Sequence, residues 1–285
     1  MSAESAVDDE AQVASAPSQA AIANVLAAGI RPEPAGPFRA SLIFGRRALL
    51  KIKHVPEQLF DVTVFPIMFT LLFTFLFGGA LAGSTGAYIQ FLLPGIMVQG
   101  VIMITMYTGT TLRTDVEKGV FDRFRSLPVW RPAALVGMLL GDAVRFTISA
   151  AVTSLLGLAL GWRRGGGFAG VVIGVLLILI FAFSLGWIWT FLSLLLRTSN
   201  AVMGVSMMII TPLTFGSNIF VDPATMPGWL QAFVNVNPVS HLVSSVRAVM
   251  GGTPVGDHVW LVLIWSAALV AVFGTLSMWR YRDVR

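Results

Sequence analysis

The sequence predicts an all-α membrane protein with six transmembrane helices. Three observations point that way. The 285 residues are 56% hydrophobic and only 12% charged, with a mean hydropathy of +0.81, whereas soluble domains carry about 25% charged residues. Six stretches reach the roughly 20 mostly apolar residues that a membrane helix needs. The basic residues collect in the alternate connections between those stretches.

The six stretches fall at 60–81, 88–112, 134–160, 168–196, 201–220 and 259–278. The fourth is almost purely apolar. Pro212 and Gly216 interrupt the fifth, and non-helical backbone at membrane depth survives only inside protein or beside water. That break predicts a packed or pathway-lining position for span five.

With the N-terminus inside, every base faces the cytoplasm except Arg163, Arg164 and Arg247, which fall outside, and Arg145, which lies within span three. Cytoplasmic loops carry the excess of Lys and Arg, so both termini are expected in the cytoplasm of a bacterial plasma membrane. The same placement accounts for the net charge of +5 without nucleic acid. Residues 1–37 are rich in Ala, Ser and Pro, and lack the basic start and apolar run of a secretory signal. They read as a disordered cytoplasmic tail ahead of a membrane domain at 38–285.

Three segments are too polar to cross. Residues 38–55 mix Phe38, Leu42, Leu49 and Ile52 with five bases and suit the headgroup region beside anionic lipid. The loop at 113–131 places Asp115 and Glu117 where a helix N-terminus favours negative charge. It then sets Val120, Phe121 and Phe124 among Lys118, Asp122, Arg123 and Arg125. Such a helix is either a plug for a partner's groove or a surface loop held by i,i+4 pairs. Between spans five and six, Asn237 followed by Pro238 is a cap and first-turn signal. Val239, Leu242, Val243, Val246 and Val249 follow at helical spacing, which predicts short amphipathic helices.

Enzymatic signatures are absent. There is no GxxxxGK[ST] phosphate loop, no GxSxG and no HExxH. The chain has no cysteine, and His54, His241 and His258 are scattered, so no metal site is expected. The intramembrane pair Asp142 and Arg145 stands three residues apart on one face of span three. It is either a self-neutralising structural pair or a functional one. Polar and soft residues recur at helical spacing on three spans. Gln99, Met103, Met106 and Thr110 align on span two, and Met207, Thr211, Thr214 and Asn218 on span five. Span one carries Thr70 beside a row of Phe65, Phe69, Phe73 and Phe77. These rows suit a path for a bulky amphiphilic substrate or ordinary helix packing.

The stretches EKGVFDRFRSLPVWRPAALVGMLLGDAVR at 117–145, NPVSHLVSSVRAV at 237–249 and KIKHVPEQLFDV at 51–62 resemble ABC-2 type permeases. They are most similar to the daunorubicin-resistance branch of actinobacterial drug exporters. The resemblance covers about 38–285. It implies a connecting helix at 38–55, a cytoplasmic coupling helix at 115–127 and re-entrant extracellular helices between spans five and six. It also implies a homodimer with two copies of a separate ATPase subunit, which binds the ATP and Mg. Phe121 and Phe124 would then be apolar plugs in the ATPase, rimmed by Glu117, Asp122, Arg123 and Arg125, and spans one, two and five would line the path. A lipid or glycan exporter of the same build, or a membrane scaffold or enzyme without transport, are the competing readings.

Overall fold

The computed structural model describes residues 56–119, 133–163 and 165–283, together with Gly36, Ile43 and Arg46. All regular structure among the described residues is helical. The tail reading at 1–37 (Gly36 apart) and the 120–131 part of the coupling loop lie outside the described residues. Of the segment at 38–55, Ile43 and Arg46 are described, and both are helical and exposed.

Helix α1 (Pro56–Ala82) turns into α2 (Thr85–Glu117) within two residues. Gly83 takes φ +71°, a left-handed conformation that costs glycine least. Ser84 then caps α2 by accepting the Ala87 N–H at 3.2 Å. Helix α3 (Ala133–Ala159) and α4 (Gly167–Leu195) follow, then α5 (Ser199–Phe215), capped by the Thr198 hydroxyl on the Ala201 N–H. A 3₁₀ turn at Pro223–Thr225, α6 (Gly228–Val236) and α7 (Pro238–Gly251) fill the stretch before the last span. That span runs through α8 (His258–Leu269), a π-helical turn at Val270–Gly274 and α9 (Thr275–Asp283).

Among the described residues, five helical stretches are long and apolar enough to cross a membrane: Thr63–Ala82, Thr85–Glu117, Val136–Ala159, Gly167–Leu195 and His258–Arg280. The fifth expected span forms the shorter apolar helix α5, of 17 residues. Pro212 and Gly216 act where the sequence placed the break: α5 stops at Phe215 and irregular backbone follows.

Helix α2 is the axis. In its membrane window 83% of residues are buried, against 22, 50, 44 and 17% for the other four. It packs against α1, α3, α4, α5 and α7. Small residues permit this. A Cβ on Gly95 would stand 2.7 Å from the Ile219 carbonyl oxygen, and one on Gly109 would stand 2.7 Å from the Trp189 carbonyl oxygen. Membrane interfaces gain from such close backbone approach, because dispersion rather than the hydrophobic effect holds helices together in lipid. Trp189, fully buried, fixes the α2–α4 contact by donating its indole N–H to Thr105 Oγ1 at 2.8 Å.

The outer face of the bundle is apolar. Leu155, Phe168, Leu176, Ile180 and Ile264 are exposed, as expected for side chains that meet lipid tails. Exposed Trp229 and Trp260 mark an interfacial level, where aromatic rings are enriched.

Replacing Gly109 with Val should lower the melting temperature of the purified protein in detergent by the equivalent of roughly 1–3 kcal/mol of overpacking. Gly204→Ala, where an added Cβ meets nothing within 4 Å, should leave it unchanged. Equal melting of both variants would show that α2 does not depend on the close approach.

Candidate functional site

The first polar cluster lies between α2 and α3. Asp142 and Arg145 are both buried and form an ion pair one turn apart. Asp142 also accepts a hydrogen bond from the Thr108 hydroxyl of α2, and Tyr107 adds an electrostatic contact to Arg145. The pair predicted on one face of span three is therefore real, and a third residue extends it to the central helix. A charge removed from water this far must be matched locally, because stranding one partner is far more costly than removing both.

Gln99 is 1% exposed, and neither heavy atom of its carboxamide has a hydrogen-bond partner among the described residues. It sits one turn from Gly95, which faces Ile219 just beyond α5. The hydroxyls of Thr74, Ser149 and Ser206 are likewise buried and without partners among the described residues. Buried polar groups are nearly always satisfied, so these atoms point to water, ligand or an alternative packing between the helices.

The predicted path residues divide by burial. Thr70, Gln99, Met106, Thr214 and Asn218 are buried, Met103 and Thr110 half-buried, and Met207 and Thr211 exposed. Thr70 and Thr214 return their hydroxyls to the Pro66 and Ile210 carbonyls, and Thr110 does so to Met106. None of these residues lines the cavity of about 710 Å³ bounded by α3, α4 and α8, whose walls include Ala143, Phe183 and Val270. The phenylalanine row on α1 forms a ladder: ring centroids are 4.2 Å apart for Phe65–Phe69, 5.6 Å for Phe69–Phe73 and 5.3 Å for Phe73–Phe77. It continues from Phe73 to Phe220 at 4.5 Å, and Phe220 stacks on Phe215 at the end of α5.

At the opposite end, Asp115 and Glu117 do not begin a helix, as the sequence reading had placed them. They close the last turn of α2, which runs on to Glu117 because no breaker precedes Gly119 at φ +64°. Thr114 bonds back to Thr110, and Arg113 pairs with Glu117. Asp115 is buried, and Lys118 is exposed. Glu117 Oε1 also accepts the backbone N–H of Ser199 at 2.9 Å. That N–H is one of the four that a helix N-terminus leaves free, and a carboxylate there is favoured by the helix dipole. The root of the 118–131 loop is thus tied to the start of α5.

Two features of the hairpin before the last span go further than the sequence signalled. Asn237 caps α7 by accepting the Val239 N–H at 2.9 Å, as the Asn-Pro pair foretold. Its amide also donates to Leu213 O at 2.7 Å and Gly216 O at 2.8 Å, closing the end of α5. Arg247, on α7, lies 3.8 Å over the Phe91 ring and donates to the carbonyls of Phe91 at 3.1 Å and Asn218 at 3.0 Å. Burial holds its guanidinium down at about 10, with Asp222 and then Tyr88 opposing that shift, so it remains a cation at neutral pH. Its place beside the Val239, Leu242, Val243, Val246 stripe was the one hint available in the sequence.

The described residues form a multi-pass helical bundle around a central buried helix, and the chain belongs to the ABC-2 type transporter family, whose sequence model matches residues 40–250. It is the membrane permease subunit of an ABC transporter and not its ATPase, and ATP is hydrolysed by the partner subunit. The chain is 51% identical over 259 residues to the daunorubicin resistance ABC transporter permease protein DrrB1 of Streptomyces coeruleorubidus, covering 91% of this chain and 92% of that one. It is 24% identical over 212 residues to a probable doxorubicin resistance ABC transporter permease protein, DrrC, of Mycobacterium tuberculosis, covering 73% and 76%.

Asp142→Leu alone should destabilise the purified protein by roughly 3–5 kcal/mol, because it strands Arg145, whereas Asp142→Leu combined with Arg145→Met should restore most of the loss. Thermal melting in detergent reads this, and a double variant no more stable than the single one would show that the two charges are not coupled.

Proposed function

We propose that this chain is the permease of an ATP-driven exporter that moves a bulky amphiphilic drug or natural product out across the bacterial plasma membrane. It works as a homodimer with two ATPase subunits, through a domain at 38–285 whose termini are cytoplasmic. The observation that carries the reading is the 51% identity, along nearly the whole of both chains, to a daunorubicin resistance permease.

Features of the bundle agree with it. Helix α5 is about 25 Å long at 1.5 Å per residue, short of the roughly 30 Å hydrocarbon core. With the irregular backbone at 216–222 it completes a sixth span. One face of it leaves Met203, Met207, Met208 and Phe215 exposed, a polarisable surface that a second copy would cover or a substrate would meet. The phenylalanine ladder of α1 reaches the same outer end through Phe220. Aromatic faces and flexible thioethers accept varied apolar shapes with little directional demand, and Gln99 of α2, buried and without a hydrogen-bond partner among the described residues, adds a polar group.

Coupling runs through the loop after Glu117. The Phe121 and Phe124 plugs and the charged rim of Asp122, Arg123 and Arg125 dock in the ATPase. Glu117 passes the motion on to both α2 and α5, because its carboxylate joins the two helix ends. A hydrogen bond to a charged group contributes about 1.5–3 kcal/mol, enough to shift a conformational equilibrium about tenfold or more.

In proteoliposomes holding the permease and its ATPase, amphiphilic drugs should stimulate ATP hydrolysis. Stimulation by lipids or glycans alone would redirect the substrate assignment. Charge reversal at Asp122 and Arg123 should abolish that stimulation without lowering expression, and failure of any ATPase to co-purify from native membranes would end the transporter reading. Met207→Trp and Thr211→Trp should change drug efflux at unchanged expression, and normal efflux in both would assign that face to packing. Glu117→Ala should lower transport per ATP hydrolysed about tenfold, while Glu117→Gln, which still accepts the Ser199 N–H, should retain part of it.

A further inference from the structure

Two imidazoles meet at the outer end of the bundle. His241 lies in the second turn of α7, and His258 opens α8. Seventeen residues separate them in sequence, yet their Nδ1 atoms stand 3.2 Å apart, with ring centroids 5.4 Å apart and planes inclined by 30°. His258 is exposed and His241 half-buried. No third His, Cys, Asp or Glu joins the two among the described residues to complete a larger cluster. Neither ring belongs to the polar clusters described above.

We propose that His241 and His258 together form a binding site for one divalent cation of the nickel, copper and zinc range, bridging the hairpin helix α7 to the last span. Imidazole nitrogen is the ligand these borderline metals prefer. At bond lengths of about 2.0–2.1 Å, two nitrogens on one metal stand about 3.3–3.4 Å apart in tetrahedral geometry and about 2.9 Å apart at a right angle. The observed 3.2 Å lies between the two. With two protein ligands, the remaining coordination positions belong to water, so the site is accessible and exchangeable rather than a closed structural centre. Its occupant would tie α7 to α8 across the connection at 252–257, where Gly252 and Gly256 both adopt positive φ.

The test uses the full-length permease, purified without a polyhistidine tag and stripped with chelator. Titration calorimetry with Zn²⁺, and with Ni²⁺ as a second probe, should give one equivalent per chain. Either metal should raise the melting temperature, because a ligand that binds only the folded state stabilises it. His258→Ala, at an exposed position, should keep the metal-free melting temperature while losing both the equivalent and the metal-dependent rise. His241→Ala should do the same. If that variant does not fold, the His258→Ala result decides. No stoichiometric binding by the wild-type protein, or binding that survives His258→Ala, would overturn the proposal and leave the pair as a hydrogen bond between neutral rings.

Discussion

The bundle depends on the thinness of α2. A helix that touches five others can do so only if its neighbours reach its backbone, and they do so where Gly95 and Gly109 present no side chain. Backbone-to-backbone contact of this kind is stiff, because a close-packed interface has no slack to absorb even a methyl group. The polar groups of the interior are hung on this axis. Thr105 receives Trp189, Thr108 donates to Asp142, and Glu117 holds the start of α5. Displacing α2 disturbs all three at once, so a push at its Glu117 end is felt along the full bundle.

Within that frame the polar interior is of two kinds. The Asp142, Arg145 and Thr108 cluster pairs its two charges and ties α3 to α2 through the Thr108 hydroxyl. Gln99 and the hydroxyls of Thr74, Ser149 and Ser206 have no partner among the described residues, and a polar group left so in an apolar medium is a standing free-energy cost.

Features set by neighbours in sequence were the legible ones. The cap at Asn237 and Pro238, the break at Pro212 and Gly216, and the i,i+3 pair of Asp142 and Arg145 all follow from local backbone or side-chain geometry. Pairings across 80 or more residues were not legible. Nothing near Glu117 announces Ser199, and nothing near Thr105 announces Trp189. The end of α2 was misplaced for a related reason. The apolar run stops near Leu112, but a helix stops only where its hydrogen bonding does, and Thr114 and the Arg113–Glu117 pair carry it to Gly119. Helical spacing grouped Met207, Thr211, Thr214 and Asn218 on span five; the first three lie on α5, whereas Asn218 lies in the irregular backbone beyond it. Spacing could not say which of them look inward, because that depends on where α2 lies.

The side chain of Asn237 makes one acceptor bond into α7 and two donor bonds into the tail of α5. One amide therefore serves as rivet for two helix ends that point into different parts of the molecule. Any motion that lifts the hairpin away from α5 must break the two amide bonds from Asn237 to Leu213 O and Gly216 O or drag the end of α5 along with it. Since the first course leaves helix carbonyls bare, the hairpin and the fifth apolar helix are mechanically a single lever arm. The compliance must lie at its two ends, in the glycine-bearing connection at 252–257 and at the Thr198 cap.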